Sequence, residues 1–399
     1  MGLYGNIKNM VEQSMPSWRA ARLHGLTDIR TKGFENGRIV TVDGHKFINM
    51  ISCSYLGLNR HPAVVQGAID GILEEGTMST SASRARIAPS LMDEVEALMG
   101  RVFGAEAIIT PSATMSSAVV LPLLASGQLT DGEKPLMVFD KNCHFSMNVQ
   151  KAVCGDETEV MTCAHNDIEA IETLCRTHAC VAYVADGAYS MGGNTPVEEL
   201  QRLQREYGLF LYLDDSHSVS VCGERGEGFV RSQMEAVDAR TIIVASLAKA
   251  FGATGGLILF GNPEFRELFD YCGGPLGWSQ MINAAGLGAI RASARIHLTD
   301  ELPALQAKLK HMMEFFDAKI PTENAGNGLP IRVIDLGSVD KAVSVAADVY
   351  KRGFYTSAVF FPIVAKNRAG LRAMGRADMT HDDIELFCGA LHSAIELNR

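Results

Sequence analysis

The sequence predicts an α/β chain, in which a large domain on a mainly parallel seven-stranded sheet is followed by a smaller α+β C-terminal domain. Three observations predict it. Seven short apolar runs recur between residues 107 and 260, separated by amphipathic stretches. These runs lack the in–out alternation of a half-exposed strand, so they are buried on both faces, as in a parallel sheet covered by helices. After about residue 286 the pattern becomes a long helix and then shorter strands and helices.

The elements follow in order. Residues 1–54 read as a polar, partly helical arm and a hairpin, because two strand-like runs flank Asp43-Gly44. Residues 55–285 form the large domain. Its predicted strands are Ala107–Thr110, Leu136–Asp140, Val160–Ala164, Val181–Asp186, Leu209–Asp214, Ile242–Ser246 and Leu257–Phe260. Predicted helices include Asp167–Arg176 and Val197–Tyr207. Residues 286–399 form the small domain: a long helix, strand Pro330–Leu336, helix Val339–Arg352, a strand-like run Tyr355–Phe361 and a last helix from His381.

Composition narrows the function. The chain has 399 residues, of which 47% are hydrophobic, enough for a large core. The formal net charge is −10 and no Lys/Arg-rich run stands out, which argues against nucleic acid as a partner. The nine cysteines show no CxxC pair, which fits reduced thiols in the cytoplasm rather than a disulfide framework or a metal site. No leader-like N-terminus and no membrane span are expected.

Open α/β sheets bind ligands at the carboxyl ends of their strands. The run Leu209–Leu213 ends in Asp214-Asp215-Ser216-His217. A carboxylate there is costly unless it meets a positive partner such as a protonated pyridine nitrogen; a helix-cap aspartate is the alternative. Lys249 follows the run Thr241–Ser246 and precedes Gly252 and Gly255-Gly256, which permit close backbone packing around a bound group. Placed among apolar neighbours, its amine is a nucleophile toward an aldehyde; a solvated surface lysine is the alternative. His144 follows Leu136–Asp140 and suits stacking on a flat ring, or a purely structural role. Ser112-Ala113-Thr114 opens an apolar helix, as a phosphate cradle or an ordinary Ser/Thr cap. Asp186-Gly-Ala-Tyr-Ser190 is a further strand-end cluster with the same ambiguity. Their coincidence at successive strand ends favours a site.

These residues resemble the α-oxoamine synthases that depend on pyridoxal 5'-phosphate (PLP), in aminotransferase class II. The similarity is carried by Tyr55-Leu-Gly-Leu-Asn-Arg-His-Pro62, Asp186-Gly-Ala-Tyr-Ser-Met-Gly-Gly193, Asp214-Asp-Ser-His217, Gly223-Glu-Arg-Gly-Glu-Gly228, Ser246-Leu-Ala-Lys249 and Ala369-Gly-Leu-Arg372. The resemblance implies the aspartate-aminotransferase-like fold, PLP fold type I. It implies that Lys249 is the Schiff-base lysine and proton shuttle, and that Asp214 partners the ring nitrogen. His217 would bond the ring hydroxyl, and His144 would stack on the ring and orient the acyl carbonyl. Ser190 would lie near the ring. Ser112, Ala113, Thr114 and Ser246 fall at phosphate-binding positions, with Ser279 or Gln280 reaching the phosphate of a neighbouring subunit in a homodimer. Arg372 would grip the amino-acid carboxylate. The implied reaction is decarboxylative Claisen condensation of an amino acid with an acyl thioester, carried by coenzyme A or a carrier protein.

The sequence departs from the family pattern at Cys53-Ser54, at Ala113-Thr114, at Ser117 and at Gly370, which stands where an arginine usually precedes Arg372 by two residues. These departures imply a specialised biosynthetic member. The rival readings are an aminotransferase of the same fold, and a serine acyltransferase or hydrolase using Ser246-x-x-Lys249. The second lacks the Ser-Asp-Asn and Lys-Thr-Gly partners of that pattern. No Gly-x-Gly-x-x-Gly follows the early strands, which disfavours a nicotinamide enzyme. A non-catalytic binding module leaves the strand-end constellation unexplained.

Overall fold

The computed structural model describes residues 6–361 and 363–399. The chain forms two compact units. The larger comprises Leu56–Ser190 and Asn194–Gln306; the smaller comprises the chain up to Tyr55, Met191–Gly193 and Ala307–Arg399.

The larger unit contains the seven-stranded sheet. Its strands are β1 (Glu106–Thr110), β2 (Leu136–Asp140), β3 (Val160–Cys163), β4 (Val181–Asp186), β5 (Phe210–Asp214), β6 (Thr241–Ser246) and β7 (Gly256–Phe260), in the spatial order β1-β7-β6-β5-β4-β2-β3. The pairs β2–β3, β2–β4, β4–β5 and β5–β6 are parallel. Strand β7 runs antiparallel to both β6 and β1, because the connector from Leu247 to Gly255 holds no crossover helix.

Alternate residues of each strand feed two separate cores. On one face Tyr183, Leu211, Leu213, Ile243 and Leu257 pack with Val95, Leu203 and Leu287. On the other, Phe139, Val184, Tyr212, Val244 and Ile258 pack with Val120, Leu124 and Phe269. Both faces are dry, which is why the strand sequences read as unbroken apolar runs.

The expected long helix after residue 286 is two helices, Ala284–His297 and Glu301–Asp317. The break falls at Thr299, whose hydroxyl bonds back to the Ile296 carbonyl and accepts the Glu301 N–H. The first helix packs closely on Pro62–Glu75, where Gly67, Gly71 and Gly288 leave no room for side chains. It therefore belongs to the larger unit rather than to a domain beginning at residue 286.

In the smaller unit, Arg38–Thr41 and Lys46–Asn49 form the expected hairpin, and Thr31–Glu35 joins its edge. Ile331–Gly337, Ala369–Met374 and Ser357–Val359 make an antiparallel sheet. The central strand, Ala369–Met374, was not expected from its sequence. The last helix, His381–Leu397, starts at a capping box of Thr380 and Asp383.

Candidate active site

The parallel strands of the larger unit deliver their polar residues at their carboxyl ends. Lys249 lies three residues beyond β6 in a tight turn. The Gly252 N–H donates to the Lys249 carbonyl at 3.0 Å, and Gly252 has φ +78°. A Cβ on Gly252 would lie 2.4 Å from Leu58, so only glycine lets this turn close. Lys249 Nζ lies 2.9 Å from His217 Nε2. His217 is buried and reaches this position because Asp214 ends β5 and the Ser216 N–H folds back to Asp214 Oδ1 at 3.0 Å. Ser216 in turn accepts the Ser246 N–H at 2.8 Å, which ties the end of β6 to the loop after β5.

The two loops are also held from behind by His297. This buried imidazole bonds the Ser293 carbonyl through Nδ1 and Ser220 Oγ through Nε2, both at 2.8 Å. Its ring stacks on Phe251, two residues after Lys249, at 4.6 Å. Burial pulls its pKa down to about 4, so it is neutral at physiological pH. Nothing in the sequence around His297 signals this role.

Asp214 pairs in register with Asp186 at the end of β4. Both are buried. Burial, and then the charge of Asp214, push the Asp186 carboxyl well above the usual carboxylate range. Asp186 Oδ2 accepts the backbone N–H of His144 at 2.7 Å. His144 caps the short helix Phe145–Asn148, with Nδ1 2.9 Å from Ser146 Oγ, and is solvent-exposed. Asp215 is fully buried, with Oδ2 accepting the Val230 N–H at 2.9 Å and Oδ1 without a hydrogen-bond partner among the described residues. Burial pushes its pKa up to about 7.

The predicted cradle is a helix start. Ser112 caps the helix Ala113–Ala125 by accepting the Met115 N–H at 3.2 Å. A Cβ on Gly256 would stand 2.4 Å from the Ser112 carbonyl carbon and 2.5 Å from the Ala113 nitrogen. The Gly255-Gly256 pair therefore lets the start of β7 approach the cradle backbone itself. Ser117 faces inward, accepting the Tyr212 hydroxyl at 2.9 Å. Thr114 is exposed, and Ser190 and Ser246 are half-buried. Ser279 and Gln280 are exposed beyond the short helix Gly274–Trp278; the Ser279 hydroxyl bonds the Pro275 carbonyl.

In the smaller unit Arg372 lies on the central strand, opposite Val333 on one side and Ser357 on the other. Its Nε and Nη2 are buried with no hydrogen-bond partner among the described residues. A guanidinium with two unmet buried donors is prepared for a carboxylate. Cys53 Sγ sits 3.8 Å from Met374 Sδ. Gly370 cannot be replaced by an arginine in place, since a Cβ there would lie 2.1 Å from the Ile334 carbonyl oxygen.

A family model described as aminotransferase class I and II matches residues 45–391. The chain belongs to that family. Among members, the 8-amino-7-oxononanoate synthase of Thermoanaerobacter pseudethanolicus is 26% identical over 357 residues, covering 86% of each chain. The mitochondrial 2-amino-3-ketobutyrate coenzyme A ligase of Bos taurus is 25% identical over 403 residues, covering 98% of this chain and 94% of that one. A solved serine palmitoyltransferase with its PLP internal aldimine superimposes with a TM-score of 0.86 at 18% identity, over 99% of both chains. That agreement bears out the expected aspartate-aminotransferase-like fold. Membership of the aminotransferase class I and II family also removes the ground for reading Ser246-x-x-Lys249 as a serine-nucleophile motif.

Proposed function

We propose that this chain is a PLP-dependent α-oxoamine synthase, a C-acyltransferase that condenses an amino acid with an acyl thioester. The observation that carries the reading is the contact of Lys249 Nζ with His217 Nε2 beside a buried strand-end carboxylate, Asp214.

The donor set fits the cofactor. The larger unit offers an amine, an imidazole, a buried carboxylate and a helix start to which the glycine at 256 gives close approach. Lys249 would hold the aldehyde carbon, Asp214 the ring nitrogen, His217 the ring hydroxyl and His144 the ring face. Ser190 would lie beside the ring, with Ser112, Ala113, Thr114 and Ser246 on the phosphate. When bound, PLP supplies an electron sink for a carbanion at the amino acid's α-carbon.

The protein's own groups then divide the work. Arg372 binds the substrate carboxylate through its two unmet donors. Lys249 Nζ takes the α-proton, with His217 fixing its position. Asp214 keeps the ring nitrogen protonated, and His144 orients the acyl carbonyl. In sum, the α-carbon gives up its proton and forms a bond to the acyl carbon, the thiol leaves with a proton, the carboxylate departs as carbon dioxide, the α-carbon takes up a proton in its place, and an α-amino ketone remains.

The acyl group is carried on coenzyme A or a carrier protein. The enzyme works as a cytoplasmic homodimer with Ser279 and Gln280 reaching the phosphate of the second site. This is supported by nine unpaired cysteines and by the exposed Trp278, Tyr271 and Leu73 on the larger unit. No described helix is long and apolar enough to cross a membrane. Cys53, Ser54 and Gly370 mark a specialised biosynthetic member.

The test is a visible absorption titration of the purified protein with single amino acids, followed by acyl thioesters. The true amino acid perturbs the bound-cofactor band, and thiol and carbon dioxide are released together. Lys249→Ala loses the band and turnover while its melting temperature is kept. Transfer of the amino group to a keto acid, without thiol or carbon dioxide release, would overturn the reading in favour of an aminotransferase.

A further inference from the structure

Asp186 is a buried strand-end carboxylate to which the proposed chemistry gives no task, and it lies between two residues that the chemistry uses. It ends β4, in register with Asp214 on β5, and β4 also neighbours β2, whose following loop carries His144. Its Oδ2 accepts the His144 backbone N–H at 2.7 Å. His144 itself is exposed, and its ring Nδ1 lies 2.9 Å from Ser146 Oγ.

We propose that Asp186 is a positioning residue for His144, fixing the loop after β2 through the His144 N–H so that the imidazole is held at the ring face of the bound cofactor. The inference rests on the PLP reading of the site. A ring that stacks on a ligand must be held to within about 0.5 Å, and an exposed loop residue needs a rigid anchor to achieve that. The end of a central parallel strand is such an anchor.

The electrostatics fit the same role. The groups facing Asp186 are Asp214 on β5, Asp140 on β2, Lys249 beyond β6, Tyr189 in its own loop, Tyr212 on β5 and Cys143 beside His144. Burial and Asp214 favour the protonated form, while the His144 N–H and Lys249 favour the anion. A neutral carboxyl still accepts the N–H. Asparagine reproduces both properties, because it is neutral and has an acceptor oxygen.

The experiment measures PLP affinity and the visible circular dichroism of the bound cofactor for wild type, Asp186→Asn, Asp186→Ala, His144→Ala and the Asp186→Ala/His144→Ala double variant. Asp186→Asn should stay within about threefold of wild-type affinity with an unchanged dichroic band. Asp186→Ala should weaken binding about tenfold and reduce the band. Added to His144→Ala, it should change affinity by less than about twofold, since Asp186 acts only through the placement of the His144 ring. Full additivity in the double variant would overturn the proposal, as would an Asp186→Asn protein as impaired as Asp186→Ala. If Asp186→Ala does not fold, Asp186→Val, which suits a strand and has no acceptor, replaces it under the same criteria. A wild-type protein that binds no PLP would instead overturn the reading of the site.

Discussion

His297 offers the sharpest pH test of the folded larger unit. Its ring is wholly buried between the Lys249 loop and the His217 loop, and its pKa falls from 6.5 to about 4 on folding. The folded pKa is depressed, so protonation favours the unfolded chain. The stability held by the neutral ring is complete above pH 6.5 and is lost as pH falls toward 4. The whole shift corresponds to about 3.4 kcal/mol, of which about 2.5 kcal/mol is lost by pH 4.5. The perturbation is His297→Gln, which keeps hydrogen-bonding capacity but does not titrate. Urea unfolding of both proteins at pH 7.5 and pH 4.5 isolates the effect, because every other titrating group is common to the two. The fixed cost of the substitution cancels when the two pH values are compared. Wild type should lose about 2.5 kcal/mol more than the variant between them. Equal losses would refute a neutral, buried His297 and with it the claim that this ring ties the two loops together.

Two further substitutions probe the same neighbourhood. Gly256→Ala places a Cβ against the backbone of Ser112 and Ala113, so it should cost about 1–3 kcal/mol in thermal or urea unfolding and weaken PLP binding more than it changes the amino-acid KM. Asp215 has its pKa raised to about 7, so its contribution is complete below pH 4 and is lost as pH rises to 7. Asp215→Asn should therefore gain on wild type by about 4 kcal/mol between pH 4 and pH 8, and parallel pH profiles would refute an ionisable Asp215 at that buried position.

What the sequence made legible depended on whether a property was local. Each strand of the large sheet was recognisable because both of its faces are dry, so the apolar run is continuous and ends abruptly at a polar residue. Asp214, His217, His144 and Lys249 were legible as strand-end residues for that reason. The antiparallel direction of β7 was also within reach, since the Leu247–Gly255 connector is too short for a parallel crossover. So was the helix break at Thr299-Asp300, a capping signal with Pro303 in the following turn. The strand Ala369–Met374 was not legible. Its Ala-Gly-Leu-Arg-Ala-Met sequence has no β-branched residue, and it is a strand because neighbours pair with it on both sides. Asp186 and Asp215 stood in strand-end clusters, but their protonation states, like the role of His297, were hidden for another reason. Their states are set by burial and by partners far apart in the chain.

Three adjacent strands, β2, β4 and β5, each end in a buried aspartate, and local pattern alone treats Asp140, Asp186 and Asp214 as equivalent. Their environments separate them. Burial opposes the charge of Asp140, but His165, the Asn166 and Asn142 N–H groups and the Tyr183 hydroxyl outweigh it and hold the carboxyl below the usual range. An anion so fully bonded has no lone pair to offer a ligand. Asp186 lies at the other extreme, with its proton favoured by burial and by its neighbour, so it makes a poor counter-ion for a cationic ring. Asp214 accepts the Ser216 N–H, and on the proposed reading it is the carboxylate that meets a positive ring nitrogen. The three like residues are therefore separated by their surroundings, hydrogen bonds at Asp140 and burial with a like charge at Asp186, and the same supply that keeps Asp140 ionised removes it from the chemistry.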